Sequence, residues 1–65
     1  MKVKEIIKLI EKDGWRLVRT KGDHRQFKHN TKTGLVTISG NSGRDMPPGT
    51  LNSVLKQSGL KGKIQ

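Results

Sequence analysis

The spacing of apolar residues near the start of the chain predicts an amphipathic helix over residues near 2–13. These residues recur at i, i+3, i+4 and i+7, as on one face of a helix: Val3, Ile6, Ile7 and Ile10, with Leu9 beside them. Gly14 follows, where a left-handed C-terminal cap belongs. Trp15 can then fold back onto Ile10, the contact that a Schellman motif favours.

Residues 51–60 repeat this arrangement near the end of the chain. Their apolar stripe consists of Leu51, Val54 and Leu55. Gly59 is the predicted cap, and Leu60 is placed to fold back onto Leu55. The helix is preceded by Pro47, Pro48 and Gly49, and proline is well tolerated in a first turn.

Between the helices the chain has the pattern of β-structure. Three short runs contain β-forming residues: Trp15–Thr20, His24–His29 and Leu35–Ser39. Short polar connections separate them, so consecutive strands are expected to pair antiparallel. The order predicts a two-layer α+β fold (α-β-β-β-α) for a single domain over residues 1–65. Both helices would cover one face of the three-stranded sheet, leaving the other face in water.

Alternation along the second strand predicts which side chains occupy the free face. Phe27 is the strong core candidate there, so His24, Gln26 and Lys28 are expected on the opposite, solvent-facing side. Arg25 and His29 share the parity of Phe27 but lie toward strand ends or edges, where a long polar side chain reaches water.

Composition and charge restrict the classes of function. Only 29% of the 65 residues are hydrophobic, cysteine is absent, and no His and acidic residues cluster with metal-ligand spacing. No apolar run approaches the roughly 20 residues of a membrane span. We therefore expect a cytoplasmic protein without metal or small-molecule cofactor. The 14 Lys and Arg residues against 5 Asp and Glu give a net charge of +9, which favours a polyanion, and first of all nucleic acid, as partner.

The segment from Lys21 to His29 holds the candidate chemistry. Both histidines of the chain lie there, among three cationic side chains and a glycine turn. Histidine suits proton transfer near neutral pH, fixed cations stabilise charge on a phosphodiester, and RNA supplies a nucleophile in its 2′-hydroxyl. From composition and pattern alone, phosphate binding without catalysis is the more economical interpretation, and His29 is expected to be structural or peripheral.

Other chemistries have weaker support in the sequence. A two-metal nuclease needs carboxylates that converge on its metal ions, whereas the acidic residues here are scattered along the chain. The stretch Gly40–Gly43 lacks the ending of a nucleotide-binding loop and is expected to be a turn. Trp15 and Phe27 are the only aromatic residues, and the core is expected to take both. A non-catalytic RNA- or DNA-binding module and a basic adaptor for an acidic protein remain open alternatives.

Several motifs, in this order, resemble the HicA (YcfA-like) family of bacterial and archaeal toxins. They are the Asp-Gly-Trp that ends the first helix (residues 13–15), a Gly-x-His turn followed by an aromatic (Gly22, His24, Phe27), Gly-x-Val-Thr-Ile (residues 34–38) and the Pro-Gly-Thr-Leu segment of residues 48–60. Asp23 stands where many relatives have Ser, and Ser39-Gly40-Asn41 replaces a Pro-x-His found in many of them.

The resemblance implies a double-stranded-RNA-binding-domain-like fold and an endoribonuclease that degrades mRNA, an mRNA interferase. It implies a HicB-type antitoxin as protein partner and His24 as the catalytic residue, acting as general base or general acid. RNA contacts are expected from the residues around it and from two more distant arginines: Lys21, Gly22, Arg25, Gln26, Lys28, Arg16 and Arg44.

Overall fold

The computed structural model describes residues 1–60 and shows the predicted order of two helices and three strands. The elements are α1 (Val3–Asp13), β1 (Arg16–Lys21), β2 (His24–Lys28), β3 (Val36–Ser39) and α2 (Pro48–Ser58). The sheet has the order β1-β2-β3, and both neighbouring pairs are antiparallel. The predicted α+β class is confirmed.

Both helices end in the predicted Schellman motif. At the end of α1, Gly14 has a φ of 112°, its N–H donates to the Glu11 carbonyl at 3.0 Å, and the Trp15 N–H donates to the Ile10 carbonyl at 3.0 Å. At the end of α2, the Leu60 N–H donates to the Leu55 carbonyl at 2.9 Å. These bonds satisfy carbonyls that a helix end leaves without partners, and they turn Trp15 and Leu60 into the core.

The second helix starts earlier than its apolar stripe indicates. It begins at Pro48 instead of residue 51, and the Leu51 N–H already donates to the Pro47 carbonyl at 2.9 Å. Proline at the first helical position has no N–H to leave unsatisfied, and its fixed φ suits the helix. The helix ends at Ser58, so the last two residues of the predicted range form the cap.

Four strand boundaries differ from the prediction by one residue. Trp15 lies before β1 because it belongs to the cap of α1, and β1 continues through Lys21. His29 lies beyond β2, since its ring turns toward the end of α1. Leu35 lies before β3 and is exposed.

The core lies between one face of the sheet and the two helices. Trp15 and Phe27 are each 1% exposed, as predicted for the two aromatic residues. The remaining buried apolar side chains come from both helices, from β3, and from the segments beside α2: Val3, Ile6, Ile10, Val36, Ile38, Met46, Val54, Leu55 and Leu60. Because both helices pack on this face, the opposite face carries the exposed polar side chains of β2 and β3.

The loop between β3 and α2 caps the start of α1. The Val3 N–H donates to the Arg44 carbonyl at 2.9 Å, and the Lys4 N–H donates to the Ser42 carbonyl at 3.0 Å. The Lys2 ammonium group adds a bond to the Gly43 carbonyl at 3.1 Å. The glycine-containing stretch is thus a turn, as predicted, whose carbonyl oxygens satisfy helix donors.

A lysine joins the C-terminal ends of the two helices. The Lys32 Nζ lies 2.5 Å from an Asp13 carboxylate oxygen and 3.0 Å from the Ser58 carbonyl oxygen. A cation at this position also interacts favourably with the negative ends of both helix dipoles. The long β2–β3 connection is therefore held against the helices on the core side of the sheet.

Within residues 1–60, no helix has the length and apolar character that crossing a membrane requires.

Candidate functional site

A tight turn places His24 at the start of β2. Lys21 and His24 face each other across the β1–β2 pair, with Gly22 and Asp23 between them. Gly22 has a positive φ of 59°, whereas Asp23 does not have a positive φ, the combination found in a type II′ hairpin turn. No atom lies within 4 Å of the position where a Cβ of residue 22 would be. Glycine is present here for its backbone conformation.

The His24 side chain is 61% exposed and lies on the face of the sheet opposite the helices. Its Nδ1 is 3.3 Å from an Asp23 carboxylate oxygen, and that side chain is similarly exposed. In the described part of the chain, His24 Nε2 has no hydrogen-bond partner, and it is available to a ligand. The predicted orientation of His24 away from the core is confirmed.

A β-bulge in β1 places a further cation beside His24. Leu17 pairs with Phe27, but the next paired residue of β1 is Arg19, which lies opposite Gln26. Val18 is the extra residue of the bulge, and it shifts the alternation of the strand by one position. Without the bulge, Arg19 and Lys21 would point to the helix side. With it, both share the free face with His24 and Gln26.

These side chains form a shallow cleft of about 290 Å³ on the free face. It is lined by Arg19, Lys21, His24, Gln26 and Thr37, with side chains from all three strands. Two of the lining residues are permanent cations, and none is acidic. Such an arrangement attracts an anion and places it against the imidazole.

Arg19 was not among the residues predicted from the sequence. Simple alternation places it on the helix side, and the bulge has no glycine to mark it. Val18, between Leu17 and Arg19, is apolar and exposed, and it is recognised as the bulge residue only when the pairing register with β2 is known.

Four other predicted contacts also lie on the free face or at its edge. Gln26 lines the cleft. Lys28 alternates with Phe27 and pairs with Arg16 at the far end of the two strands, so both extend the basic surface away from His24. Gly22 forms the turn itself. We use the name basic face for the surface formed by Arg16, Arg19, Lys21, His24 and Lys28.

Arg25 lies on the other side of the sheet. It has the parity of Phe27 and is half-buried, and its guanidinium donates to the Gly40 carbonyl oxygen at 3.1 Å. This bond ties β2 to the turn that follows β3. The structure therefore does not bring Arg25 together with His24 in the cleft.

Arg44 lies in the loop that precedes α2. It helps to line a second cavity of about 250 Å³, together with Asp23, Ser39 and Thr50. This cavity lies on the Asp23 side of the hairpin turn and contains two carboxylates, Asp23 and Asp45. Arg44 thus adds a cation near the turn but does not line the His24 cleft.

His29 has a structural position, as predicted. Its Nε2 lies 2.7 Å from the Asp13 carbonyl oxygen, while Nδ1 accepts from the Thr31 and Lys32 N–H groups at 3.0 and 3.2 Å. Nε2 is therefore the nitrogen that carries the proton and donates it. The ring packs edge-on against Trp15, with 5.3 Å between centroids, and a Cβ on Gly14 would lie 2.7 Å from Nε2.

Among residues 1–60, no three His, Cys, Asp or Glu side chains are grouped as metal ligands would be.

The comparison with protein families assigns the chain to a known class. Residues 3–60 match the family model described as HicA toxin of bacterial toxin-antitoxin. The chain belongs to the HicA toxin family. It is therefore the toxin of a toxin–antitoxin system, and the family implies an antitoxin and RNA as its partners in general. No curated protein matched the sequence.

Replacing the two histidines should affect the stability of the fold differently. His29→Ala leaves the Thr31 and Lys32 N–H groups without their acceptor, so unfolding should cost about 2 kcal/mol less. His24→Ala removes an exposed side chain and should change the free energy of unfolding by less than about 0.5 kcal/mol. Urea denaturation followed by Trp15 fluorescence measures both values. Equal destabilisation by the two substitutions would contradict these placements.

Proposed function

We propose that this HicA-family chain is an mRNA interferase, an endoribonuclease that cleaves RNA with His24 as its catalytic residue and without a metal ion. The observation that supports it most strongly is the cleft, in which the exposed His24 imidazole lies beside Arg19 and Lys21. Family membership favours RNA as the polyanion. A non-catalytic RNA-binding module would use the same cations but would have no requirement for His24.

The proposed reaction uses the 2′-hydroxyl of the substrate as nucleophile. O2′ attacks the adjacent phosphorus and loses its proton, while the bond from phosphorus to the 5′ oxygen breaks and that oxygen gains a proton. The products are a 2′,3′-cyclic phosphate and a 5′-hydroxyl. His24 Nε2 performs one of the two proton transfers, as base toward O2′ or as acid toward the leaving oxygen, and water accepts or supplies the other proton.

The cations around His24 would hold the phosphate and stabilise its transition state. Arg19 and Lys21 flank the cleft from β1, and negative charge accumulates on the phosphate oxygens as O2′ attacks. Arg16 and Lys28 would bind phosphates farther along the strand. The Asp23 carboxylate, 3.3 Å from Nδ1, would orient the ring so that Nε2 faces the substrate.

The proposed partner that controls this activity is a HicB-type antitoxin, acting in the cytoplasm where mRNA is translated. An acidic antitoxin would also stabilise the chain by mass action, because a net charge of +9 on 65 residues causes self-repulsion.

Removing the imidazole should slow cleavage strongly but leave RNA binding intact. In EDTA, wild-type chain should degrade an RNA transcript, and His24→Ala should be slower by about 10²- to 10⁴-fold, the usual contribution of general acid–base catalysis. Gel analysis of end-labelled RNA measures the rate. The His29→Asn variant, with its fraction folded measured in the same buffer, is the control for loss of a histidine away from the cleft.

Equal cleavage by wild type and His24→Ala would contradict the assignment of His24. Intact RNA with both proteins, while binding is retained, would indicate a non-catalytic binding module instead. Loss of wild-type cleavage in EDTA that returns with a divalent cation would contradict the metal-independent mechanism.

Arg19 should contribute to RNA binding through one phosphate contact. For single-stranded RNA, log K falls by about 0.7 per neutralised phosphate for each unit of log salt concentration. Arg19→Ala should reduce the salt slope by about that amount and weaken binding, whereas Lys12→Ala, which removes an exposed cation from α1, should leave the slope unchanged. Fluorescence anisotropy over a salt series measures both. Identical slopes for the two variants would show that Arg19 does not contact phosphate.

A further inference from the structure

A second concave surface lies on the helix side of the sheet, next to the edge strand β1. It is a groove of about 320 Å³ between α1 and β1, with the buried Phe27 at its base and Ile7 and Leu17 on its walls. We call it the α1–β1 groove. Leu17 pairs with Phe27 and therefore shares its side of the sheet, so the groove faces away from His24.

The α1–β1 groove exposes apolar surface that the core does not use. Leu17 is 50% exposed although its neighbour across the pair, Phe27, is 1% exposed. Val18 in the bulge, the next residue along the edge, is 49% exposed. An exposed apolar side chain that lines a groove marks a candidate site for binding another molecule.

Cations surround the apolar part of the groove. Lys4 and Lys8 project from α1 one turn apart, and the half-buried Arg25 lies on the sheet side. Glu11 is the one acidic residue among the lining side chains. An occupant with an excess of carboxylates is therefore favoured by charge, and the apolar walls favour an occupant with a large apolar side chain.

The same observations argue against other occupants. A second copy of this chain would bring another net charge of +9 against the groove, and like charges across an interface oppose association. Nucleic acid matches the lysines but offers no aliphatic group for Leu17 and Ile7. Pairing of a further strand with β1 is disfavoured, because a bulge and several charged residues interrupt its outer edge.

We propose that the α1–β1 groove binds an acidic segment of a partner protein, which inserts one large apolar side chain between Ile7 and Leu17. The carboxylates of the segment bind Lys4 and Lys8 at the rim. This surface is separate from the basic face, so the partner and RNA can occupy the chain at the same time. The proposal does not depend on His24 being catalytic.

The test uses the ¹⁵N-labelled full chain and two short synthetic peptides of equal charge. Both are rich in Asp and Glu; one has a central Phe-Leu pair, and the other has Ser-Ser in its place. The peptide with the apolar pair should shift the amide resonances of α1 and of Leu17 and Phe27. The serine peptide should bind at least about tenfold more weakly at this site, because burial of the apolar pair is lost.

Two pairs of variants connect the binding to the groove. Leu17→Ser should weaken binding of the Phe-Leu peptide about tenfold or more, whereas Leu35→Ser, at an apolar residue 44% exposed elsewhere, should not. Lys8→Glu should weaken binding more than Lys12→Glu, which makes the same charge change outside the groove. All four variants are expected to keep wild-type RNA cleavage.

The proposal would be overturned by any of several outcomes. These are equal binding of the two peptides, resonance shifts confined to the basic face, or Leu17→Ser and Leu35→Ser behaving alike. Groove shifts that appear with protein concentration alone would identify a second copy as the occupant. Shifts produced by an RNA oligonucleotide or by anionic lipid vesicles, and absent with the Phe-Leu peptide, would identify those ligands instead.

Discussion

The fold depends on the burial of one face of a three-stranded sheet under two short helices. With 29% hydrophobic residues in 65, the chain has enough apolar side chains to cover a single face of the sheet. Both aromatic residues, Trp15 and Phe27, are used on that face. The strand side chains of opposite parity then face away from the helices, and Arg19, Lys21 and His24 are among them. The position of the candidate site thus follows from the location of the core.

The cleft around His24 depends on the β-bulge in β1 as well as on the burial of one face of the sheet. In a regular β1, Arg16, Val18 and Thr20 would share the free face, and the cations nearest to His24 would point toward α1. The bulge at Val18 reverses the second half of the strand, so that Arg19 and Lys21 lie beside His24. Bulges are frequent next to functional sites because they redirect side chains in this way. Leu17, which lines the α1–β1 groove, immediately precedes this bulge and is half exposed.

The sequence was sufficient for the parts that depend on regular periodicity. The spacing of Val3, Ile6 and Ile10 predicted α1, and the caps at Gly14 and Gly59 were predicted from the glycine followed by a large apolar residue. Alternation about Phe27 predicted the orientation of His24. These inferences use only residues close together in the sequence, because backbone geometry fixes the period of side chains along a helix or a strand.

The remaining features depend on contacts between distant segments. Arg19 could not be placed, because a bulge is defined by pairing with β2 and not by the residues of β1 alone. The partners of Arg25 and His29 are carbonyl groups 15 and 16 residues away in the sequence, which single-strand patterns do not reveal. The start of α2 at Pro48 was missed for a different reason: its first turn is solvent-exposed and has no apolar periodicity.

The most direct measurement is the dependence of cleavage on the hydroxyl that RNA itself supplies. A short RNA and the same sequence with 2′-O-methyl groups are incubated with the chain in EDTA, and the product ends are identified by mass spectrometry. The proposed mechanism predicts cleavage of the unmodified RNA alone, with 2′,3′-cyclic phosphate and 5′-hydroxyl ends. Cleavage of the methylated RNA at a similar rate, or products with 5′-phosphate ends, would contradict it.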